Sequence, residues 1–270
     1  MAVEPAYIAG VGMTKFGKFF ETGLKQLARE AVSEACRDAG ITPADIEAAY
    51  VGNAVAGLIT NQECIRGQVV LRECDIGEIP IFNVENACAS AASAFHLAWS
   101  AVATGQVECA LALGMEKLTH PDKSLSLRAF NAAVDVEIVS RLREALQAGE
   151  RAASGAQRSQ DNDSGDRNQE DSSQKRSMFM DIYAAAIRAH MSQYGTTPEQ
   201  MAWVASKNHH HGSLNPKAQY RQEASVEEVL ASRMIAYPLT LLMCAPIGDG
   251  AAAAVVVSEG KAQSLGILSR

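Results

Sequence analysis

The sequence predicts an α/β protein built on a largely parallel sheet, and three observations carry that expectation. Strand-sized apolar runs alternate with helical periodicity over the first 118 residues, in the order β-α-β-α-β-α-β. Leu24, Leu27, Ala28, Ala31, Val32, Ala35, Cys36 and Ala39 recur at the spacing of one helix face. Beyond a helical middle, residues 251–258 form a continuous apolar strand whose place is back in the first sheet.

Taken in order, residues 7–11 are a short apolar run closed by glycines and read as a buried strand. The amphipathic helix stops at Gly40. Thr42-Pro43 caps a single turn, with proline at the first helical position, where its missing N–H costs nothing. Residues 48–53 form the second strand, 63–74 a helix and 79–84 the third strand. Asn86-Ala87-Cys88 then opens a run of small residues, Ala89-Ser90-Ala91-Ala92-Ser93-Ala94. It continues as a helix to Thr104 and ends at Gly105, and residues 109–114 are the fourth strand.

From 154 to 176 the only hydrophobic residue is Ala156, so burial cannot offset the entropy of ordering and the segment is expected to be disordered. Its Asp161 and Asp163 do not make an EF-hand, because Gly165 falls at the fifth position and no terminal glutamate follows. Phe179, Ile182, Tyr183, Ala186, Ile187, His190, Met191 and Tyr194 share one apolar helix face, with Ser177 as cap and Gly195 as stop. Thr197-Pro198-Glu199-Gln200 is a capping box opening a helix over 201–211 that closes at Gly212. Ser225-Val226-Glu227-Glu228 is a second box, for a helix reaching about Ile235.

Composition narrows the function classes. The 270 residues are 47% apolar and 20% charged, enough for one large or two modest domains at about 150 residues each. The net charge, 24 − 31 = −7, gives no reason to expect nucleic acid or an anionic membrane as the main partner. No apolar run reaches the roughly 18 residues of a membrane helix. The first residues lack a signal-peptide pattern and the last three are not Ser-Lys-Leu, so a cytoplasmic location is expected. The cysteines at 36, 64, 74, 88, 109 and 244 show no CxxC spacing, so no zinc site and no disulfide scaffold are expected.

Cys88 stands apart because it lies where a strand turns into a helix. A thiol there feels the positive end of the helix macrodipole, which favours the thiolate, and free backbone amides that stabilise an oxyanion. A core cysteine in a tightly packed Ala/Ser helix remains the alternative on local grounds. The helix after it is apolar nearly all round, so it should be buried on every side. Other candidates fall away. Adjacent residues His209, His210 and His211 diverge by about 100° on a helix and cannot share a metal ion. His190 reads as a core histidine, and Gly10-x-Gly12 lacks the third glycine of a dinucleotide fingerprint because Lys15 occupies that site.

The stretch Asn83-Val84-Glu85-Asn86-Ala87-Cys88-Ala89-Ser90 resembles the nucleophile region of the thiolase superfamily, more narrowly its sterol-carrier-protein-2 and acetyl-CoA acetyltransferase types. Leu97-Ala98-Trp99, residues 112–117, residues 9–17, Lys207-Asn208-His209, residues 214–219 and Gly248-Asp249-Gly250-Ala251-Ala252-Ala253 agree in order along the chain. The resemblance implies a thiolase-like half, a mixed five-stranded sheet with helices on both faces, with an inserted helical loop domain. It places the α/β domain over 1–118 plus 236–270 and the loop domain over 119–235.

It also implies covalent acyl transfer. Cys88 matches the residue that takes an acyl group from acyl-CoA, which is a substrate; no tightly bound cofactor and no metal are implied. Lys207, Lys217, Arg221 and Arg233 flank the loop helices and are candidates to meet CoA phosphates, although single basic residues more commonly mark solvated faces, so the CoA-contacting residues stay unassigned. The family's Gly-His-Pro histidine and second catalytic cysteine belong to its other half. No Gly-His-Pro occurs here and Cys244 lies too early, so the chain alone is expected to need a complementary half or partner, and to form a homodimer or higher oligomer. The family often has glycine where Ala91 stands, a departure expected to tighten the pocket. Two other readings stay open: a thiolase-like aldolase subunit with a zinc-ribbon/OB-fold partner, and a non-catalytic acyl-CoA-binding or scaffolding subunit.

Overall fold

The computed structural model describes residues 3–137, 141, 145 and 178–269. The expected disorder over 154–176 and the cap at Ser177 lie outside the described residues. The chain divides into two compact units, Met1–Ser126 with Ile247–Arg270, and Leu127–Pro246. Its strands are β1 (Ala6–Met13), β2 (Ala48–Gly52), β3 (Ile81–Val84), β4 (Cys109–Glu116), β5 (Met234–Ala236), β6 (Leu239–Thr240) and β7 (Gly250–Ser258).

The first unit holds a five-stranded sheet in the order β1-β7-β4-β2-β3. It is mixed, as the family resemblance implies, and not the largely parallel sheet that the alternation of strands and helices alone predicts. β2 runs parallel to β3 and β4, whereas β7 is antiparallel to both β4 and β1. The reason is topological: Glu116, at the end of β4, faces Gly250, at the start of β7. The chain therefore leaves and re-enters the sheet at one end, as a hairpin does, and a hairpin return is antiparallel.

Residues 7–11 form a strand, but not a buried one. β1 is an edge strand, and Ile8 and Val11 are both 54% exposed. Helix α1 (Leu24–Ala39) seals that edge: Asp38 accepts the Val11 N–H at 2.9 Å and Glu34 the Met13 N–H at 2.8 Å. Charged cover of this kind blocks further strand pairing. All eight apolar positions expected on the α1 face are buried, and Gly40 ends the helix in the left-handed conformation at φ 72°.

A short helix α2 (Ala56–Thr60), which the apolar pattern did not reveal, follows β2. The helix expected over 63–74 begins only at Arg66, as α3 (Arg66–Leu71), because Ile65 is left-handed at φ 51°. Residues Arg72–Cys74 tighten into a 3-10 turn. Helix α4 (Ser90–Ala103) lies on the opposite face of the sheet, and α9 (Glu259–Ser264) closes the unit.

The two faces differ in side-chain size, and this positions α4. In β4, Leu111, Leu113 and Met115 point into the cluster under α1 and α3, while Ala110 and Ala112 face α4. In β2, Ala49 and Val51 go one way, Ala48 and Tyr50 the other. What reads as unbroken apolar sequence is an alternation of sides at period two. α4 therefore sits on a floor made mainly of alanine. It is not buried all round: Leu97 is 41% and Trp99 37% exposed.

In the second unit, α5 (Lys123–Asn131) brings the chain in, and α6 (Met178–Tyr194), α7 (Pro198–Leu214) and α8 (Val226–Ala231) follow. Helix α6 exists as expected, with a different buried face. Ala184 packs with Ala236, Leu239 and Ile187, while Tyr183, Ala186, His190 and Tyr194 are exposed. Helix α7 runs past Gly212, where a Cβ would press on the Tyr220 carbonyl at 2.8 Å. α8 stops well before Ile235. Ser232 is extended, the Thr240 hydroxyl donates to the Val229 carbonyl at 2.7 Å, and β5 pairs with β6 instead. Among the described residues no helix is long and apolar enough to cross a membrane.

Candidate active site

The parallel strands β2, β3 and β4 end together, and Cys88 follows the end of β3. The carboxyl ends of parallel strands are where open α/β sheets present their ligand sites. After Val84 the chain turns sharply. Ala87 is left-handed at φ 46°, which costs an L-residue about 1–2 kcal/mol. Cys88 occupies the middle of the 3-10 turn Ala87–Ala89 that feeds directly into α4. The thiol is solvent-exposed, so a core cysteine does not describe its position.

Buried Ser90 pins this turn: its hydroxyl accepts the Asn86 N–H at 2.9 Å and donates to the Ala87 carbonyl at 2.7 Å. Glu85 accepts the Ala87 N–H at 2.6 Å, and the Asn86 amide donates to Ser93 at 2.9 Å. The Ala89 N–H is taken by the Asn86 carbonyl at 2.9 Å. Among the described residues nothing accepts the backbone N–H of Cys88 itself. An exposed thiol thus sits at the positive end of a helix beside its own unengaged amide, a donor in place for an oxyanion formed next to that sulfur.

Two polar assemblies hold the strand ends on this side of the sheet. Asn53 ties three strands: its N–H goes to the Val84 carbonyl at 3.1 Å, and its side-chain amide donates to the Met115 carbonyl at 2.8 Å and to Glu116 at 3.1 Å. Glu116 also accepts the N–H groups of Ala54, Val55 and Lys117. Burial pushes its carboxyl above the ordinary value, and the four donors only partly offset that. The Asn53 side-chain oxygen is buried, and among the described residues nothing donates to it.

The second assembly centres on Asp249, which is fully buried. It accepts Lys117 Nζ at 2.8 Å, the N–H groups of Leu118 and Thr119 at 2.8 Å each, the Phe19 N–H at 3.1 Å and the Thr119 hydroxyl. Lys117 also donates to the Phe19 carbonyl. Burial pushes the Asp249 carboxyl up, yet the bonds from Lys117 and Thr119 outweigh it and the group lies below its usual range. This pair locks the points where the chain leaves and rejoins the first unit's sheet.

The remaining candidates separate. His209 Nε2 meets the Leu242 carbonyl at 3.0 Å, His210 pairs with Glu223 at 3.0 Å and His211 is exposed. His209 and His210 turn to different partners while the His210 and His211 rings lie 5.7 Å apart, and among the described residues no cluster of His, Cys, Asp or Glu could hold a metal. His190 is not a core residue; it is exposed, with Nδ1 2.8 Å from the Thr196 hydroxyl. Gly10 and Gly12 serve close packing, since a Cβ on either would overlap the α1 backbone. Cys244 is half-buried, bonds the Thr240 carbonyl at 3.3 Å, and is raised by burial. Lys207, Lys217, Arg221 and Arg233 all belong to the second unit. The sequence singles out Cys88 but does not reveal the roles of Asn53, Glu116 and Asp249 in holding the strand ends, although Asn53 follows Gly52 and Asp249 lies between Gly248 and Gly250.

The family described as thiolase, N-terminal domain, matches residues 6–260. An acetyl-CoA acetyltransferase of Methanothermobacter thermautotrophicus is 36% identical over 92% of the chain and 56% of its own length. The benzoylsuccinyl-CoA thiolase subunit BbsB of Thauera aromatica is 36% identical over 97% of the chain and 57% of its own. Sterol carrier protein 2 of Gallus gallus is 32% identical over 94% of the chain and 41% of its own. A solved structure, the Ltp2–ChsH2(DUF35) aldolase, superposes with a TM-score of 0.63 at 26% identity, over 96% of this chain and 56% of that one. The chain spans about half the length of the curated relatives it matches.

Proposed function

The chain belongs to the thiolase family, whose N-terminal domain it carries over residues 6–260, and from that premise we propose that Cys88 is the covalent acyl acceptor of an acyl-CoA acyltransferase. The observation that supports this most is the exposed thiol on the β3–α4 turn, with its own N–H unengaged. The Cys88 thiolate adds to the thioester carbonyl, the carbonyl–sulfur bond to coenzyme A breaks, and CoA leaves as a thiolate that takes up a proton. The acyl group is then held on Cys88 as a new thioester. Thiolysis or Claisen condensation completes the cycle when CoA sulfur, or a carbanion from a second acyl-CoA, attacks that thioester.

The carbanion route needs a positioned base. No Gly-His-Pro occurs in this sequence, and we assign the base for that step to a complementary half or partner chain. Among the relatives, BbsB is by name a subunit. We assign this chain, too, to an assembly, and two surfaces support it. The β1 edge is sealed by carboxylates, but at the β3 edge Phe82 is 49% exposed, and Leu97 and Trp99 of α4 are open to solvent. All six cysteines are free thiols, which fits a reducing, cytoplasmic setting.

The test is a stoichiometric one. Mixed with acetyl-CoA, the protein releases one equivalent of CoA, and Cys88→Ala releases none. A second reading, a thiolase-like aldolase subunit working with a zinc-ribbon/OB-fold partner, is favoured by the solved aldolase complex. Carbon–carbon cleavage that survives in Cys88→Ala would select it. No adduct from any acyl-CoA, with or without a complementary chain, would select a non-catalytic binding subunit.

A further inference from the structure

We propose that Gly52 and Gly114 are positioning residues for the nucleophile: a two-strand glycine seat that sets how deeply the first turn of α4, and with it Cys88, rests on the sheet. The inference takes its rate readout, though not its geometry, from the acyl-transfer reading above. The two glycines are register partners on the neighbouring parallel strands β2 and β4, on the face that carries α4. Gly52 follows Ala48 and Tyr50 on that face of β2 and closes the strand, and Gly114 follows Ala110 and Ala112 on that face of β4.

The two seats are made differently, and that difference supplies the test. A Cβ on Gly52 would lie 2.5 Å from the Ser90 carbonyl oxygen, 2.6 Å from its carbon and 2.7 Å from the Ala91 nitrogen. All three are backbone, so only displacement of the helix can relieve the overlap. A Cβ on Gly114 meets chiefly the Ala91 methyl, inside the 3.0 Å that real Cβ atoms keep. That overlap is reciprocal. A methyl moved from Ala91 to residue 114 conserves the volume between strand and helix, and volume-conserving exchanges are the ones packed interfaces tolerate best. Ala91 is therefore the partner of Gly114, and its methyl, far from narrowing an acyl pocket, fills the space the strand glycine leaves.

Five proteins test this: wild type, Gly114→Ala, Gly114→Ala with Ala91→Gly, Gly52→Ala, and Gly52→Ala with Ala91→Gly. The readout is the rate of Cys88 acylation by acetyl-CoA, with circular dichroism confirming the fold. A turn lifted by about 1 Å should lose on the order of 100-fold in rate. Gly114→Ala and Gly52→Ala should both fall to that extent; Ala91→Gly should restore most of the rate to the first and none to the second. Wild-type rates in Gly114→Ala, or a swap no faster than that single variant, overturn the proposal. Equal rescue of both glycine variants also overturns it. If Gly114→Ala does not fold, the swap decides: folded and acylated supports the seat, unfolded or inert refutes it. If the wild type takes no acyl group, the acyl-transfer reading has failed. The seat is then judged by amide hydrogen exchange over 89–94, which should quicken in Gly114→Ala and return in the swap. Unchanged exchange refutes it.

Discussion

Asp249→Asn is the sharpest perturbation of the framework that holds the strand ends. The carboxylate is fully buried and its ion-pair partner Lys117 is 7% exposed. One oxygen accepts the Leu118 and Thr119 N–H groups, and the asparagine oxygen can take those over. The other accepts Lys117, Phe19 and Thr119, and an –NH2 there presents hydrogens to an ammonium and to an N–H. Removing one partner of a buried pair leaves an uncompensated charge and costs about 3–5 kcal/mol. At roughly 2–4 °C per kcal/mol for a unit of this size, the melting temperature should fall by about 6–20 °C. The Asp249 carboxyl lies below its ordinary value in the fold, so its contribution is present above the unfolded value near about 3.9 and is lost as pH falls through the folded one. The gap between wild type and variant should therefore narrow below about pH 4. Urea unfolding followed by Trp99 fluorescence, with Trp203→Phe in all proteins so that only the first unit reports, measures both effects. The double variant Lys117→Met, Asp249→Asn should lose less than Asp249→Asn alone, because no buried charge is stranded. A single variant within about 1 kcal/mol of wild type at neutral pH would refute this reasoning, since that is the range of an exposed pair.

Three further outcomes are expected. Native protein treated with iodoacetamide near pH 8 should be modified at Cys64 and Cys88, which are exposed, and spared at Cys36, Cys74 and Cys109 on peptide mapping. Burial pushes Cys74 up to about 11 and Cys109 to about 12; the stability their protonated forms lend is present below the unfolded value of about 8.5 and lost as pH rises toward those figures. Ser90→Ala strands the Asn86 N–H and Ala87 carbonyl, so it should cost about 1–3 kcal/mol in urea and slow Cys88 acylation disproportionately. Leu97→Glu places a charge on the exposed face of α4 and should lower the sedimentation coefficient of the assembly while the far-ultraviolet spectrum is unchanged.

Where sequence and structure agree, the signal was local. The α1 face was legible because eight apolar residues at helical spacing bury one stripe, and Gly40 must be left-handed to end it. β7 was legible as a strand of the first sheet because residues 251–258 are a short uncharged run of small and β-branched side chains, which suits a strand paired on both sides. Direction was not legible in the apolar pattern, and the mixed sheet came only from the family resemblance. Antiparallel pairing of β7 depends on Glu116 meeting Gly250, residues far apart in the chain. The α6 stripe was real, but periodicity says which residues share a face and not how much of it is covered; Tyr183 and Tyr194 lie on that stripe in solvent. At the candidate site, Cys88 could be read from a strand, a turn and a run of small residues. Its supports could not: Asn53 reaches Met115 across 62 positions and Asp249 reaches Lys117 across 132. Gly52 and Gly114 look like ordinary glycines until the helix above them is in place.

The most direct test of the account is to quench the protein after brief exposure to acetyl-CoA, digest it and locate the acetyl group by mass. A single thioester-linked acetyl is expected on the peptide containing Cys88, discharged when free CoA is added. Acetyl found on Cys64 or distributed over surface lysines, with the Cys88 peptide unmodified, would contradict it.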